Sequence, residues 1–133
     1  MVDPSRYRPL ALAVGASLLY GSWALYANRG TGSAARAALA QVTFSFCATL
    51  TLALVLERLF RAGRTPDQGF WLAAVGTSTL AAALVTTTHL LASTPHLLLT
   101  VAPSITIGTL VYFSYAFGLR SAARRGAAEG PQG

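Results

Sequence analysis

Four long apolar runs bordered by arginines or tight turns constrain this chain more than any other feature. They extend from Leu10 to Tyr26, Ala37 to Leu56, Gly69 to Leu91 and Leu97 to Leu119. Each has 17 to 23 residues, and at about 1.5 Å per residue a helix of that length covers a hydrocarbon core of roughly 30 Å. Inside lipid every backbone polar group needs an internal partner, so only helices and closed barrels can cross. Barrel strands would be short and alternate polar with apolar residues, whereas these runs are continuously apolar. The predicted fold class is therefore all-α: a polytopic membrane protein, an antiparallel bundle of four transmembrane helices (10–26, 37–56, 69–91 and 97–119). A content of 53% hydrophobic and 11% charged residues places the chain in the same class. Residues 1–120 are read as the transmembrane domain and 121–133, small, polar and Gly/Pro-containing, as a disordered cytoplasmic tail.

The net charge of +6 is carried by ten arginines and no lysine. Arg6 and Arg8 precede the first run, Arg58, Arg61 and Arg64 separate the second from the third, and Arg120, Arg124 and Arg125 follow the fourth. Only Arg29 and Arg36 fall in the first connection, and the third has none. Eight against two is a positive-inside pattern that places both termini and the middle loop in the cytoplasm. Topology thus accounts for the charge, no nucleic-acid recognition fold is visible, and nucleic acid is excluded as a partner. The same eight arginines predict contacts with anionic lipid headgroups, Arg58, Arg61 and Arg64 above all. The N-terminal run superficially resembles a secretory signal, but it exceeds a signal core in length and Leu25 suits a cleavage site after Ala27 poorly, so the first helix is expected to be retained.

Along the first run Ala13, Ser17 and Gly21 recur every four residues, the spacing of a helix-packing seam in lipid. Tyr20, Trp23 and Tyr26 at its outer end, and Phe70 and Trp71 at the inner start of the third, fit aromatic belts. Ser33 is the predicted N-cap of the second helix. That helix carries two polar stripes, Gln41, Ser45 and Thr49 on one side and Thr43, Cys47 and Thr51 on the other, which predicts neighbours on both sides. The Ser and Thr hydroxyls can also bond back to their own helix, but the Gln41 amide cannot. Cys47, the single cysteine, is read as a small buried packing residue. Glu57 is read as a surface partner of Arg61 one turn on rather than a functional acid, and residues 61–68 as a short loop. In the third run Ala74, Ser78, Ala82, Thr86 and His89 lie near one face. Thr94 and Pro95 read as N-cap and first residue of the fourth helix, putting His89 and His96 near the outer interface. Pro103 removes a backbone hydrogen bond inside the fourth helix and is expected to kink it beside Thr100, Ser104 and Gly108.

Two histidines without further ligands at the same depth do not make a metal site, so no metal or cofactor is predicted. No nucleophile with its base and no phosphate loop can be assembled, which disfavours an enzyme. Small multidrug exporters share the size but need a carboxylate within the first helix, where Leu10 to Tyr26 has none. Fluoride channels share a Thr43-Phe44-Ser45-Phe46-like motif but carry it at a broken third helix. The spacing of Asn28-Arg29, Gln41, Ser45 and Thr49, then His89, Thr94-Pro95 and Thr100 through Ala102-Pro103-Ser104 to Gly108, resembles small uncharacterised four-helix inner-membrane proteins of Gram-negative bacteria. The resemblance implies a bacterial inner-membrane setting and brings no activity with it. The predicted function is an accessory or transport-associated subunit acting through helix–helix contacts. Its partners would be the lipid bilayer and either further copies of the chain or a larger membrane protein. A small transporter or channel working as an oligomer is the alternative, with Gln41, Ser45, Thr49, His89, Thr100, Pro103, Ser104 and Gly108 as the polar pathway in place of a partner face. A lipid-modifying enzyme comes third.

Overall fold

The computed structural model describes residues 7–91 and 97–130, without the side chains of Leu99 and Thr100. Among these residues all regular structure is helical: α1 (Arg8–Ala27), α2 (Ala34–Ala62), α3 (Pro66–Leu91) and α4 (Leu97–Glu129). All four helices are long and apolar enough to cross a membrane. The chain divides within α2 into two compact units, Met1–Leu54 and Val55–Gly133.

The helices outrun the apolar segments. α2 begins at Ala34 rather than Ala37 and continues past Leu56 to Ala62, and α4 continues past Leu119 to Glu129. Hydropathy marks where a segment stops suiting lipid, but alanine and arginine are both strong helix formers. Ser121-Ala122-Ala123-Arg124-Arg125 therefore extends α4 without a break, and Gly126 costs only about 1 kcal/mol. Residues 121–129 are helical where a disordered tail is the sequence expectation. At 33 residues α4 is about 50 Å long. It runs through Pro103 as one helix.

Little of the apolar surface is used internally. Between 17% and 22% of the residues in each span are buried inside the chain, and Leu18, Leu19, Trp23, Leu39, Phe44, Leu91, Leu98 and Leu110 are exposed. A water-soluble domain of this size hides such side chains. Their exposure fits a lipid solvent, in which helices associate through close packing of small residues rather than by withdrawing apolar surface from water.

The first unit illustrates that packing. Pro9, Ala13, Ser17 and Gly21 form the buried stripe of α1. A Cβ on Gly21 would run into the Val42 side chain of α2, so glycine sets the approach of the two helices. Ser17 satisfies its hydroxyl on its own helix, donating to Val14 O at 2.8 Å. At the C-terminus of α1, Asn28 caps Ala24 O through both its backbone N–H and its Nδ2. Gly30 turns the chain at φ +82°, in the left-handed region where a side chain would be strained. Ser33 stands at the N-cap of α2, its carbonyl accepting from Ala37 N at 2.9 Å, while its hydroxyl meets Thr31 instead of the helix.

In the second unit the end of α2 packs with α3 and α4. The core is Leu56, Phe70, Ala73, Ala74 and Ala116, flanked by Leu59, Phe60, Tyr112, Phe113, Tyr115 and Leu119. Three alanines among five core residues let the backbones close on the rings of Phe70 and Phe113, which meet edge-on at 5.9 Å. Phe70 is thus a core residue and not part of an interfacial belt, whereas Trp71, beside it at 5.0 Å, is exposed. The turn from α2 to α3 is tight. A Cβ on Gly63 would meet the backbone of Gly69, and one on Gly69 would meet the Phe60 carbonyl. Thr65 caps α3 by accepting from Gln68 N at 3.2 Å, and Gln68 Oε1 reaches back to Arg64 N at 3.2 Å. This resembles a capping box, except that Gln68 bonds the residue before the N-cap rather than the N-cap itself, and Pro66 holds the first helical position.

Candidate functional site

The polar residues singled out by the sequence fall into separate groups. On α2, Gln41 Nε2 donates to Ser45 Oγ at 3.0 Å, and Ser45 is buried while Gln41 and Thr49 are half-buried. The amide that cannot be satisfied by its own backbone is therefore partnered one turn along. The opposite stripe behaves differently. Thr43, Cys47 and Thr51 are all exposed, and Thr43 donates to Leu39 O at 3.0 Å. Cys47 is accordingly not a buried packing residue. A hydroxyl bonded to its own helix and a weakly polar thiol can both face lipid, so this stripe needs no neighbour.

Along α3 the whole stripe of Ala74, Ser78, Ala82, Thr86 and His89 is at least half-buried. The Thr94-Pro95 turn and His96 lie outside the described residues, as do Arg6 and the side chain of Thr100. Pro103 and Ser104 are exposed, and Gly108 is half-buried beside the Tyr112 ring. Thr106, about one turn after the proline, donates to Ala102 O at 2.8 Å. Among the described residues no three of histidine, cysteine, aspartate and glutamate gather as metal ligands.

Three features of the second unit escape the sequence reading. The first is Asp67, in the first turn of α3. It accepts from Arg120 Nε at 2.5 Å and from Arg124 Nη2 at 2.7 and 2.8 Å, so one carboxylate ties α4 at two successive turns. Arg120 also lies over the Phe70 ring, 5.4 Å from its centre. The second is Glu57. Its pair with Arg61 is long, 3.9 Å, with the arginine 68% exposed, a geometry worth little. Its closer partner is Tyr115, whose hydroxyl donates to Glu57 Oε1 at 2.8 Å from α4. Tyr115, Arg120 and Arg124 therefore fasten one stretch of α4 to an acid on α2 and an acid on α3.

The third is Thr77, 0% exposed in the middle of α3, whose Oγ1 has no hydrogen-bond partner among the described residues; the neighbouring Ser78 Oγ is likewise buried and without a partner among them. A buried hydroxyl without a partner costs about 1 to 3 kcal/mol, and valine has the same shape without it. Thr77→Val is expected to stabilise the protein by about 1 kcal/mol, read as a higher unfolding temperature in mild detergent. A lower one would mean that the hydroxyl is bonded.

No family model, curated protein or solved structure matches this chain.

Proposed function

We propose that the chain is a small integral membrane protein that crosses the bilayer four times, consecutive helices running in opposite directions and both termini on the cytoplasmic side. In this reading it resides in a bacterial inner membrane and serves as an accessory or transport-associated subunit, acting through helix–helix contacts with copies of itself or with a larger membrane protein. One observation carries the proposal. The small, polar face of Pro103 and Ser104 on α4 is exposed. Proline in a spanning helix frees a carbonyl that lipid cannot satisfy but a neighbouring helix can, so a partner is the natural cover. The oligomeric pathway is less well supported. Gln41 is already bonded to Ser45, and Ser104, on α4, is exposed and has no part in that pair.

The two readings separate in one preparation. Purification in gentle detergent is expected to retain a stoichiometric partner, either a second copy or a heterologous membrane protein. The purified chain in liposomes is expected to carry no solute. A flux abolished by Gln41→Leu or Ser104→Leu, at equal folded amounts, would establish the pathway and remove the accessory reading.

A further inference from the structure

The six arginines of the second unit look equivalent in sequence, but the structure divides them. Arg120 and Arg124 are committed to the Asp67 carboxylate. Arg61 has a long contact with Glu57. Arg58, Arg64 and Arg125 are exposed and have no carboxylate partner among the described residues. Six arginines face three carboxylates here, Glu57, Asp67 and Glu129, which leaves a net charge of +3. That excess resides in the uncommitted guanidiniums.

Depth decides what they can meet. Arg58 stands two residues and Arg61 five residues beyond Leu56, the last residue of its apolar run. At about 1.5 Å per residue, that is roughly 3 and 8 Å past the hydrocarbon edge. The headgroup layer on each side is roughly 5 to 8 Å deep. A long side chain can also adjust its head along the helix axis by snorkelling. Arg58 and Arg61 are three residues apart and so neighbours on one helix face, and Arg64 follows in the adjoining turn.

We infer that Arg58 and Arg64, with Arg61 beside them, form a binding surface for the phosphate of anionic phospholipid headgroups in the leaflet at that end. Arg120 and Arg124 are withheld from it by Asp67. The ligand chemistry is a phosphate diester on a lipid. Guanidinium forks suit it because they offer paired donors in a fixed plane. The inference rests on the membrane reading above.

The test uses the full chain, reconstituted in mixed phosphatidylcholine and phosphatidylglycerol and re-extracted in mild detergent, with the retained lipids counted by mass. Flotation with pure phosphatidylcholine vesicles comes first, because failure to insert there would refute the membrane reading itself. The intact chain should retain phosphatidylglycerol preferentially. Arg58→Gln should lower that preference about fivefold, the effect of one basic group at a membrane surface, and Arg58→Gln with Arg64→Gln should lower it further. The charge-matched triple variant Asp67→Asn, Arg120→Gln, Arg124→Gln also removes one net positive charge, yet should leave the preference within about twofold of the intact chain, since the triad as a whole is outside the surface. Asp67→Asn alone should raise it by releasing two arginines, and this variant decides the matter if the triple variant does not fold. Equal losses in the two charge-matched variants, or no response to Asp67→Asn, would overturn the division. Inorganic phosphate at constant ionic strength should leave the retained lipid unchanged, and displacement by it would assign the surface to soluble anions instead.

Discussion

Gly69→Val is expected to destabilise the protein by on the order of 3 kcal/mol, the upper end of the range for overpacking a close contact. Gly69 is buried at the start of α3, and any Cβ there meets the Phe60 carbonyl at the end of α2. The obstacle is backbone, so no side-chain rotation relieves it. Either the α2–α3 turn opens, or Phe70 next to Gly69 leaves its place against Ala73, Ala74 and Ala116. Valine is the informative substitution because alanine gains up to about 1 kcal/mol of helix propensity over glycine and would mask part of the loss. Gly118→Ala, on α4, supplies the contrast: nothing lies within 4 Å of its added Cβ. It should be neutral or stabilising by up to about 1 kcal/mol. Fluorescence of Trp71, which sits against Phe70 and Phe113, reports the unit directly in a Trp23→Phe background. Its thermal transition in mild detergent should fall by on the order of 10 °C in Gly69→Val. If the two glycine variants melt alike, the close approach of α2 and α3 is wrong.

How much of this was legible depended on whether a residue's partner lies on its own helix. Four lengths sufficient to cross a membrane are visible as continuously apolar runs, and each of them is helical. Their ends are not visible, because Arg58 and Arg120 change the solvent a helix suits without breaking the helix. Ala13, Ser17 and Gly21 can be read as a seam from spacing alone, and all three are buried. The stripe of Thr43, Cys47 and Thr51 looks the same on paper but is exposed, since a hydroxyl can turn back to its own carbonyl and polarity then says nothing about neighbours.

Partners distant in sequence are the ones it does not reveal. Glu57 and Arg61 are visibly four apart, so the local pair is the natural reading, yet Tyr115, 58 residues away, makes the shorter contact. Asp67 shows the same limit. The sequence does hold its ingredients: one acid at the start of the third helix, capping residues around it in Thr65 and Gln68, and arginines four apart at 120 and 124. What joins them is the register of α3 on α4, fixed by Phe70, Ala73 and Ala116, and register between helices is not written in either helix alone. Thr77 is hidden in the sequence for a smaller reason. The buried face of α3 near its start runs through Phe70, Ala73, Ala74 and Thr77, slightly rotated from the stripe that Ser78 suggests.

The second large effect concerns topology, and the division of arginines around the helices is what predicts it. With eight of ten in the N-terminal, middle and C-terminal segments and two in the first connection, the positive-inside rule predicts that the chain ends on the side where it began. The most direct measurement is a pair of fusions in a bacterial host, placed after Gly32 in the α1–α2 connection and after Arg125 near the end of α4. An enzyme reporter that works only when exported should be active after Gly32 and lower by more than about tenfold after Arg125, with a cytoplasm-only fluorescent reporter showing the reverse. Export activity after Arg125 equal to that after Gly32 would contradict four crossings with both termini in the cytoplasm.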